Sequence, residues 1–372
     1  MVVSVPKETA PNEQRVGLVP ELVPKLTKAG LDVIVQSGAG LSAGFLDAAY
    51  VEKGARLEAE VFDKADIILK VQPPTIEEIA RMKEGSILIG FLQPYTNTTG
   101  IKALAARKVT AFSMELMPRI TRAQPMDALS AMSTIAGYKA VLIAAGRLPK
   151  FFPLLMTAAG TITPARVFVI GAGVAGLQAI GTAKRLGAVV EAYDTRPAVK
   201  EQVESLGARF AELGLETKDA EDRGGYAKTQ SEEFYRKQQE MMAKYVTNAD
   251  VVIPTALVPA QRAPVLITEE MVRGMRPGSV IVDLAAEQGG NCALTEPGQE
   301  IVRHGVVIIG PLNLPSTVSF HASEMYARTV TNFLSHLLKE GRLHLDLEDE
   351  LTRGPLVTYQ GEVLHQAVKT RL

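Results

Sequence analysis

The sequence predicts an α/β protein built from two domains with parallel sheets. Short apolar runs rich in β-branched residues alternate with amphipathic stretches over residues 1–115, and the alternation resumes from 166 to about 314. Such alternation is typical of βαβ units, in which a helix crosses from one parallel strand to the next. A chain of 372 residues with 47% hydrophobic residues is long enough to bury two cores.

The first alternating region predicts strands with helices between them. The apolar runs assigned to strands are Val2–Val5, Leu31–Val35, Asp66–Leu69, Ser86–Phe91 and Val109–Phe112. The stretches assigned to helices are Pro20–Lys28, Ala48–Lys53, Thr75–Met82 and Gly100–Arg107. Polar or turn residues follow the strands, and ligand clefts of open parallel sheets lie outside that end. For any single one of these polar residues, a solvated loop is the alternative.

A glycine-rich turn opens the second alternating region. Val167–Ile170 is predicted to be a buried strand, followed by a helix that runs to Leu186. Between them Gly171, Gly173 and Gly176 stand in G-x-G-x-x-G spacing. In a dinucleotide-binding turn these glycines allow a tight turn, a close approach to a pyrophosphate and close helix packing, respectively. The helix N-terminus then offers N–H groups to the phosphates, whereas a purely structural turn is the alternative.

The acid after the next predicted strand favours NAD over NADP. Ala188–Tyr193 is followed by Asp194, roughly 20 residues after the glycines, where dinucleotide-binding folds carry an acid. A carboxylate there accepts hydrogen bonds from both ribose hydroxyls of NAD and repels the extra phosphate of NADP. Arg196 supplies an opposing charge two residues later, so a weaker preference is the alternative. The pattern predicts a Rossmann-like nucleotide-binding domain.

Long helices are expected to join two Rossmann-like domains with a cleft between them. The further strands of the second domain are Asp250–Ile253, Ser279–Leu284 and Val306–Ile309. The long helices run from about Met126 to Ala145 and from about Val318 to Leu338. We therefore expect one domain over residues 1–128 and 321–372 and a nucleotide-binding domain over 129–320. The turn-rich tail after residue 341 is expected to form a hairpin against a neighbour.

One charged segment interrupts the second domain. Nearly half of the residues from Glu216 to Glu240 are charged, and Gly224, Gly225 and Tyr226 lie in the middle. Glycine pairs permit large backbone changes, and the tyrosine has no evident core to enter. We expect a mobile flap over about 216–230 with Tyr226 at its tip, with a disordered insertion as the alternative.

A turn-rich segment leads from the first region towards the glycine turn. It carries Arg119, Gln124, Asp127 and Ser130 and enters a helix near Met126. Spacing alone favours a connection whose helix start is capped by Asp127. A binding role for these polar groups is the alternative.

Composition excludes several function classes. The formal net charge of −1 predicts no nucleic-acid binding, and the single Cys292 allows no internal disulfide. The N-terminus lacks a signal-peptide pattern, and the longest apolar stretch, Val167–Leu177, is too short to span a bilayer, so we expect no membrane crossing. No histidine pair has metal-ligand spacing with the cysteine, so we expect no metal site.

Motifs along nearly the whole chain point to one family. They are Pro6–Glu8 with Arg15–Val16, Met114–Asp127, Gly171–Gly176, Lys200–Gly207, Arg223–Lys228 and Pro277–Cys292. With these motifs the chain resembles the NAD(H)-binding domain I of proton-translocating nicotinamide nucleotide transhydrogenase. The Arg119–Asp127 and Gly225–Tyr226 segments are more specific than the glycine turn. The resemblance favours ligand binding by the Arg119 segment over a plain connection.

The resemblance also implies the roles of individual residues. The nicotinamide and its ribose would be held by Arg119, Gln124, Asp127 and Ser130, and Pro125 and Met126 of the same segment would also belong to the cofactor-binding residues. The rest of the NAD site would be lined by Gly171, Gly173, Val174, Gly176, Asp194, Thr195, Arg196, Gly225, Gln238 and Leu257. A flap carrying Tyr226 would close over the nucleotide. The catalytic set implied for hydride transfer is Arg119, Gln124, Asp127, Ser130 and Tyr226.

The reaction implied by the resemblance is direct hydride transfer from NADH bound here to NADP bound on domain III of a beta subunit. It would be coupled to proton movement through membrane domain II subunits. Such transfer needs ring alignment and exclusion of water rather than an acid or base. We expect a homodimer, cytoplasmic and peripheral on the inner face of the cell membrane through partner subunits. Because the chain ends at Leu372 without transmembrane segments, it looks like a separate soluble alpha-1 subunit or an isolated domain I.

Alanine dehydrogenase, a relative with the same layout, is the alternative enzyme. That family has arginine and lysine at positions matching Arg15 and Lys70, a catalytic histidine after the fourth strand, and an aspartate before Gln-Gly-Gly. Here Gln93 and Glu287 occupy the last two places. A glutamine amide serves as neither acid nor base at neutral pH, which argues against amino-acid oxidation and leaves Arg15 and Lys70 as structural remnants. A non-catalytic nucleotide-binding module is the third hypothesis.

Overall fold

The computed structural model describes residues 1–213, 231–258 and 261–372. The chain divides into two compact units. Unit 1 comprises Met1–Met132 and Pro315–Leu372, and unit 2 comprises Ser133–Leu314. Because unit 1 contains both ends of the chain, unit 2 is an insertion within it.

Strands and helices alternate along most of the described residues. In chain order the strands are β1 (Val2–Val5), β2 (Asp32–Gln36), β3 (Arg56–Glu58), β4 (Ile67–Leu69), β5 (Ile87–Gly90), β6 (Thr110–Ser113), β7 (Leu155–Thr157), β8 (Gly160–Ile162), β9 (Arg166–Ile170), β10 (Val189–Tyr193), β11 (Arg209–Phe210), β12 (Val251–Pro254), β13 (Val280–Val282), β14 (Glu300–Arg303), β15 (Val306–Ile309), β16 (Leu338–Lys339), β17 (Arg342–Leu343), β18 (Leu356–Tyr359) and β19 (Glu362–Val363). The helices are α1 (Val23–Lys28), α2 (Asp47–Glu52), α3 (Ile76–Arg81), α4 (Thr98–Ala106), α5 (Ala128–Arg147), α6 (Val174–Arg185), α7 (Lys200–Ser205), α8 (Glu232–Asn248), α9 (Glu269–Gly274), α10 (Ser319–His336), α11 (Glu350–Arg353) and α12 (Gln366–Lys369).

The sheet of unit 1 has the strand order β19-β18-β6-β5-β4-β1-β2-β3. Strands β1 to β6 are parallel, and their order reverses between β1 and β4. The expected tail hairpin exists as β18 and β19, and its neighbour is β6 of the same chain. The hairpin packs there because Leu356 and Val357 of β18 are buried in the core of unit 1.

The sheet of unit 2 has the strand order β11-β10-β9-β12-β13-β15-β14. All pairs are parallel except β14 with β15. The six parallel strands follow the 3-2-1-4-5-6 order of dinucleotide-binding folds, which puts the topological switch point between β9 and β12. The predicted α/β class with two largely parallel sheets is confirmed.

Helices cover both faces of the sheet of unit 2. Val167 and Val169 of β9 pack in one buried cluster, together with Val141 of α5. Phe168 and Ile170, the alternate residues of the same strand, pack in a second cluster. Successive side chains of a strand point to opposite faces, so a strand buried on both sides becomes one continuous apolar run. This is why the sequence shows these strands clearly.

Helix α5 is the one helix among the described residues whose length and composition would suit a membrane span. Its apolar side chains serve the core, because Ala140, Val141 and Ala144 are fully buried in unit 2. Gly137 lies where α5 crosses the start of α6, and a Cβ there would stand 2.0 Å from the carbonyl oxygen of Ala175. The small residues of α5 therefore permit close helix packing.

We predict that Gly137→Ala destabilises the protein by about 1–3 kcal/mol, because the added methyl group overpacks the contact between α5 and α6. Gly146 on the same helix is the matched control, since a Cβ there meets no atom of the described residues within 4 Å. Gly146→Ala should stabilise by up to about 1 kcal/mol through helix propensity. Urea unfolding followed by circular dichroism measures both. A Gly137→Ala loss below about 0.5 kcal/mol would contradict the close packing.

Charged side chains are buried together at the carboxyl ends of β1 and β4 in unit 1. Lys70 is 1% exposed, and its Nζ lies 3.2 Å from Glu8 and 3.4 Å from Glu78. Arg15 donates two parallel hydrogen bonds to Glu13, with Nε–Oε1 2.7 Å and Nη2–Oε2 2.6 Å. Buried cations at this switch point are thus neutralised by carboxylates of the same unit.

The two carboxylates respond to pH in opposite senses. Burial by itself raises the pKa of Glu13, but the hydrogen bonds and charge of Arg15 outweigh it and lower the pKa to about 2. The pKa of Glu8 is raised, because burial outweighs the attraction of Lys70. A lowered folded-state pKa stabilises the fold above the unfolded pKa, and this contribution is lost as pH falls towards 2. A raised folded-state pKa, as at Glu8, affects stability in the opposite direction, so its contribution to the free energy of unfolding is lost as pH rises.

We predict that Arg15→Met costs about 3–5 kcal/mol of unfolding free energy at pH 7, because it leaves the Glu13 carboxylate buried without its cation. The loss should be smaller at about pH 4. In the variant the unpaired Glu13 then binds a proton, whereas in the wild type the carboxylate stays ionised because its pKa is about 2. Chemical denaturation at both pH values measures this. Lys108→Met, which breaks an exposed pair with Glu84, is the control and should cost less than about 1 kcal/mol. A loss independent of pH would contradict the assignment.

Candidate nucleotide-binding site

The glycine turn after β9 has the geometry of a phosphate-binding turn. Gly171 has φ of +95°, which an L side chain rarely adopts. A Cβ on Gly176 would stand 1.9 Å from the carbonyl oxygen of Gly171, so only glycine lets α6 pack there. Within the part of the chain that the structure describes, the nearest atom to a Cβ on Gly173 would be Arg196 Nη2 at 4.0 Å. Space is therefore open beside Gly173, as the approach of a pyrophosphate requires.

The N-terminus of α6 faces this space without a side-chain cap. Gly173 is the N-cap residue, and among the described residues no side-chain oxygen accepts from the first N–H groups of the helix. Val174 follows as the first helical residue and is 37% exposed. Uncapped N–H groups at a helix N-terminus suit an anion. The residues present thus fit the phosphates of a dinucleotide.

Asp194 and Arg196 form an ion pair directly after β10. The carboxylate is nearly buried and accepts a hydrogen bond from the backbone N–H of Ala172 at 2.7 Å. The Arg196 backbone N–H donates to Oδ1 at 2.8 Å, and its guanidinium donates to both oxygens at 2.9 and 2.8 Å. Thr195 lies half-buried between the two. The opposing charge noted in the sequence is therefore in direct contact with the acid.

A buried amide on α8 lies against the end of β10. Gln238 is 2% exposed, and its Nε2 donates to the Tyr193 hydroxyl at 3.1 Å. Burial raises the pKa of Tyr193 to about 12, so its hydroxyl keeps its proton at neutral pH. The Oε1 atom of Gln238 is buried and has no hydrogen-bond partner among the described residues. An unsatisfied buried acceptor costs about 1–3 kcal/mol, and a ligand donor would satisfy it.

Polar residues after β12 and β13 hold the loop that carries Leu257. Thr255 Oγ1 donates to the carbonyl oxygen of Gly171 at 3.0 Å. Asn291 is fully buried and bonds both the N–H and the carbonyl of Ala256 at 2.9 Å. Asp283 in turn accepts from the backbone N–H of Asn291 at 2.8 Å. Sequence reasoning missed these supports, although polar residues just after buried strands were the signal.

The Arg119–Ser130 segment lies in unit 1. Residues Thr121–Met126 form a 3-10 helix in which Gln124 and Pro125 are exposed, and Arg119 before it is exposed as well. Asp127 accepts from the Ser130 backbone N–H at 2.9 Å and from its hydroxyl at 2.5 Å, and so caps the start of α5. The cap and a binding role are compatible, because the cap fixes where the preceding residues stand.

Contacts within unit 1 anchor this segment. Asn332 of α10 donates from Nδ2 to the carbonyl oxygen of Pro125 at 3.0 Å. Arg122 donates to Asp349 at 3.1 Å, next to the start of α11. The neighbouring Gln124 thus projects from a backbone that is tied on both sides.

The structure gathers most of the predicted site residues within each unit. Around the carboxyl ends of β9, β10 and β12 in unit 2 lie Gly171, Gly173, Val174, Gly176, Asp194, Thr195, Arg196, Gln238 and Leu257. In unit 1, Arg119, Gln124, Pro125, Met126, Asp127 and Ser130 share one segment. Gly225, Tyr226 and the expected flap over about 216–230 lie outside the described residues.

The regular secondary structure of unit 2 resumes earlier than the charge pattern predicts. The charge pattern predicts an interruption as far as Glu240, but helix α8 begins at Glu232. The reason is local, because Ser231 caps the helix by accepting from the Phe234 N–H, and charged residues pair four apart, as Arg236 does with Glu240.

The two positions that distinguish alanine dehydrogenase, Gln93 and Glu287, both take part in hydrogen bonds that involve a backbone N–H group. Gln93 has φ of +50°, and its backbone N–H donates to Glu115 at 2.8 Å. Glu287 is exposed and accepts from the Asn313 N–H at 2.7 Å. Arg15 and Lys70 are held in the buried ion pairs of unit 1. Within the described residues, no group of three or more His, Cys, Asp or Glu side chains is placed to hold a metal.

Comparison with known proteins relates both parts of the chain to one protein family. Residues 4–136 match the family model described as alanine dehydrogenase/PNT, N-terminal domain, and residues 140–366 match its C-terminal domain. Over 379 aligned residues the chain is 50% identical to a Rhodospirillum rubrum protein named as one part of NAD(P) transhydrogenase subunit alpha, covering 99% of each. It is 33% identical to alanine dehydrogenase of Halomonas elongata, covering 99% of this chain and 96% of that one.

A solved structure, that of a transhydrogenase from Sinorhizobium meliloti, superposes with a TM-score of 0.87 at 43% identity. The match covers 99% of this chain and all of that one. Both halves of the sequence and the three-dimensional fold thus lead to the same conclusion. The chain belongs to the alanine dehydrogenase/PNT family.

Proposed function

We propose that this chain is the NAD(H)-binding component of an NAD(P) transhydrogenase. The observation that carries the proposal is the cluster at the carboxyl ends of β9, β10 and β12, in which an open glycine turn, an acid and a buried amide oxygen that has no partner among the described residues meet. The end-to-end similarity to a transhydrogenase alpha subunit supports it. Hydride would pass directly from NADH held by this chain to NADP⁺ held by a partner.

In this proposal the residues of unit 2 bind the adenosine side of the nucleotide. The N–H groups at Gly173 and Val174 receive the pyrophosphate, and Asp194 receives the ribose hydroxyls. Gln238 and Leu257 complete the lining. Gly225, Tyr226 and the closing flap enter the proposal through the family resemblance alone.

The Arg119–Ser130 segment is proposed to hold the nicotinamide and its ribose. The nicotinamide ring supplies the hydride, so the protein needs to orient the ring and exclude water. Arginine, amide and hydroxyl groups do this without taking or giving a proton. The Asp127 cap and the Asn332 contact to Pro125 keep Gln124 in place for that task.

Amino-acid oxidation is the second candidate, because the fold also matches an L-alanine dehydrogenase with a TM-score of 0.83 at 27% identity. That reaction moves protons as well as hydride and therefore needs an acid or base. Gln93 offers none where that family is implied to have histidine. The identities are also lower than those to the transhydrogenase subunits.

The partners follow from the same proposal. The relative from Rhodospirillum rubrum is named as only one part of an alpha subunit, and we infer that this chain works with further transhydrogenase subunits. These would supply an NADP-binding domain III and a membrane domain II, with this chain held peripherally on the cytoplasmic face. One glycine turn of this kind accounts for one nucleotide, which is why a second chain must bring NADP.

Unit 2 carries an exposed apolar hairpin that we propose pairs with a second copy of the chain. Strands β7 and β8 form a two-stranded sheet of their own. Around them Phe151, Leu154 and Met156 are 57%, 53% and 78% exposed. An isolated hairpin is marginally stable in water, and contiguous exposed apolar side chains mark interaction sites.

We predict that the chain is a dimer in solution, with twice the chain mass of 40.0 kDa by light scattering. Met156→Glu should shift the equilibrium towards monomer, because a buried interface would then contain an unpaired charge. Val302→Glu is the control, since Val302 is also exposed in unit 2 but lies on β14. A wild-type monomer at micromolar concentration, or equal effects of both variants, would contradict the hairpin interface.

We predict that hydride transfer requires a second, NADP-binding chain and that Gln124→Asn slows it roughly a hundredfold. We expect the shorter amide to leave the affinity for NADH within about threefold of wild type but to misalign the nicotinamide ring for hydride transfer. Stopped-flow reduction of an NADP⁺ analogue by NADH measures the rate, and fluorescence titration measures binding. Gln14→Asn, an exposed glutamine of unit 1, is the matched control.

The outcomes separate the candidates. Alanine-dependent production of NADH by the pure chain would reject the transhydrogenase proposal in favour of amino-acid oxidation. A Gln124→Asn rate within about twofold of wild type, less than 0.5 kcal/mol in the barrier, would reject only the positioning role of this residue.

A further inference from the structure

The ion pair between Asp194 and Arg196 occupies the place where the site distinguishes NAD from NADP. We propose that Arg196 is a built-in counter-ion that sets how strongly this chain rejects a nucleotide with a 2′-phosphate. The inference rests on the proposed NAD(H) site and adds to it the residue that limits its selectivity. It follows from the hydrogen bonds of one carboxylate and the position of one guanidinium.

The Asp194 carboxylate has no acceptor capacity to spare in this structure. A carboxylate offers about four lone-pair positions, and four donors occupy them here. Two are backbone N–H groups, from Ala172 and Arg196. The other two are Nε and Nη2 of the Arg196 guanidinium. Only the guanidinium can withdraw without moving the backbone, so two ribose hydroxyls would have to replace it.

The guanidinium also stands beside the phosphate-binding turn. Its Nη2 lies 4.0 Å from the position of a Cβ on Gly173. The Arg196 side chain is 13% exposed, which makes the ion pair nearly buried and weakly screened. Arg196 therefore links the two places at which a dinucleotide presents oxygen atoms, the ribose edge at Asp194 and the pyrophosphate at the glycine turn.

These positions give Arg196 opposite effects on the two nucleotides. For NADH it is a competitor, because it holds the acceptors that the ribose hydroxyls need. For NADPH it is the cation that meets the 2′-phosphate and masks the negative charge of Asp194. Arginine suits both tasks, since its planar fork matches carboxylate and phosphate oxygens alike. The wild-type chain thus prefers NADH over NADPH less strongly than it would if Asp194 had no paired arginine.

Arg196→Ala should therefore sharpen the selectivity of the full-length chain. We expect the ratio of NADPH to NADH dissociation constants to rise roughly tenfold or more, since a phosphate would face an unmasked carboxylate a few ångströms away. The affinity for NADH should stay equal or improve. Fluorescence titration of each nucleotide into the pure chain measures both constants without any partner.

Two variants serve as controls. Arg209→Ala removes the same charge from β11, where Arg209 is 72% exposed and pairs with Glu191, and should leave the ratio unchanged. Arg196→Lys keeps the charge but loses the planar fork, so the ratio should rise by clearly less than it does for Arg196→Ala.

A ratio that Arg196→Ala leaves within about twofold of wild type, or a fall in NADH affinity equal to that for NADPH, would overturn the inference. If Arg196→Ala proves unstable, Arg196→Lys decides, since a ratio of dissociation constants below that of wild type would equally overturn the inference. Failure of the wild-type chain to bind NADH would instead reject the proposed function. The two failures are therefore distinguishable.

Discussion

The site of unit 2 depends on the contact between α6 and the carbonyl oxygen of Gly171. The absence of a side chain at Gly176 lets the helix begin directly at the end of β9. That placement leaves the first N–H groups of α6 uncapped and puts Ala172 within reach of Asp194. A bulkier residue at this one position would displace the helix start, the acid and the arginine together.

Unit 1 has the same strand order around its own switch point, between β1 and β4, yet uses it differently. Where unit 2 presents an open turn, unit 1 fills the strand ends with its own ion pairs, Arg15 with Glu13 and Lys70 with Glu8. Each cation already has a carboxylate, so a ligand carboxylate would have to displace one at the cost of burying it unpaired. The same strand order thus leaves an open turn at the switch point of one unit and buried ion pairs at that of the other.

The sequence predicted what depends on local pattern. Strands such as β9 and β12 are buried on both faces and appear as apolar runs, whereas β3 and β14 are short, contain no buried residue and have charged ends, and therefore give no apolar run. The glycines and Asp194 were predictable because their spacing has a mechanism. Two contacts were not predictable. The pairing of Arg196 with Asp194 depends on the direction of the arginine side chain. The hydrogen bond between Asn291 and Ala256 joins segments that are far apart in sequence.

The insertion of unit 2 within unit 1 has a consequence for synthesis on the ribosome. All residues of unit 2 precede Pro315, so its sheet can close while the rest of the chain is still being made. Unit 1 has to wait, because α10 and strands β18 and β19 come last and β18 covers the edge of β6. Until then β6 presents unpaired backbone groups, which makes the nascent first unit the aggregation-prone stage of this protein's biogenesis.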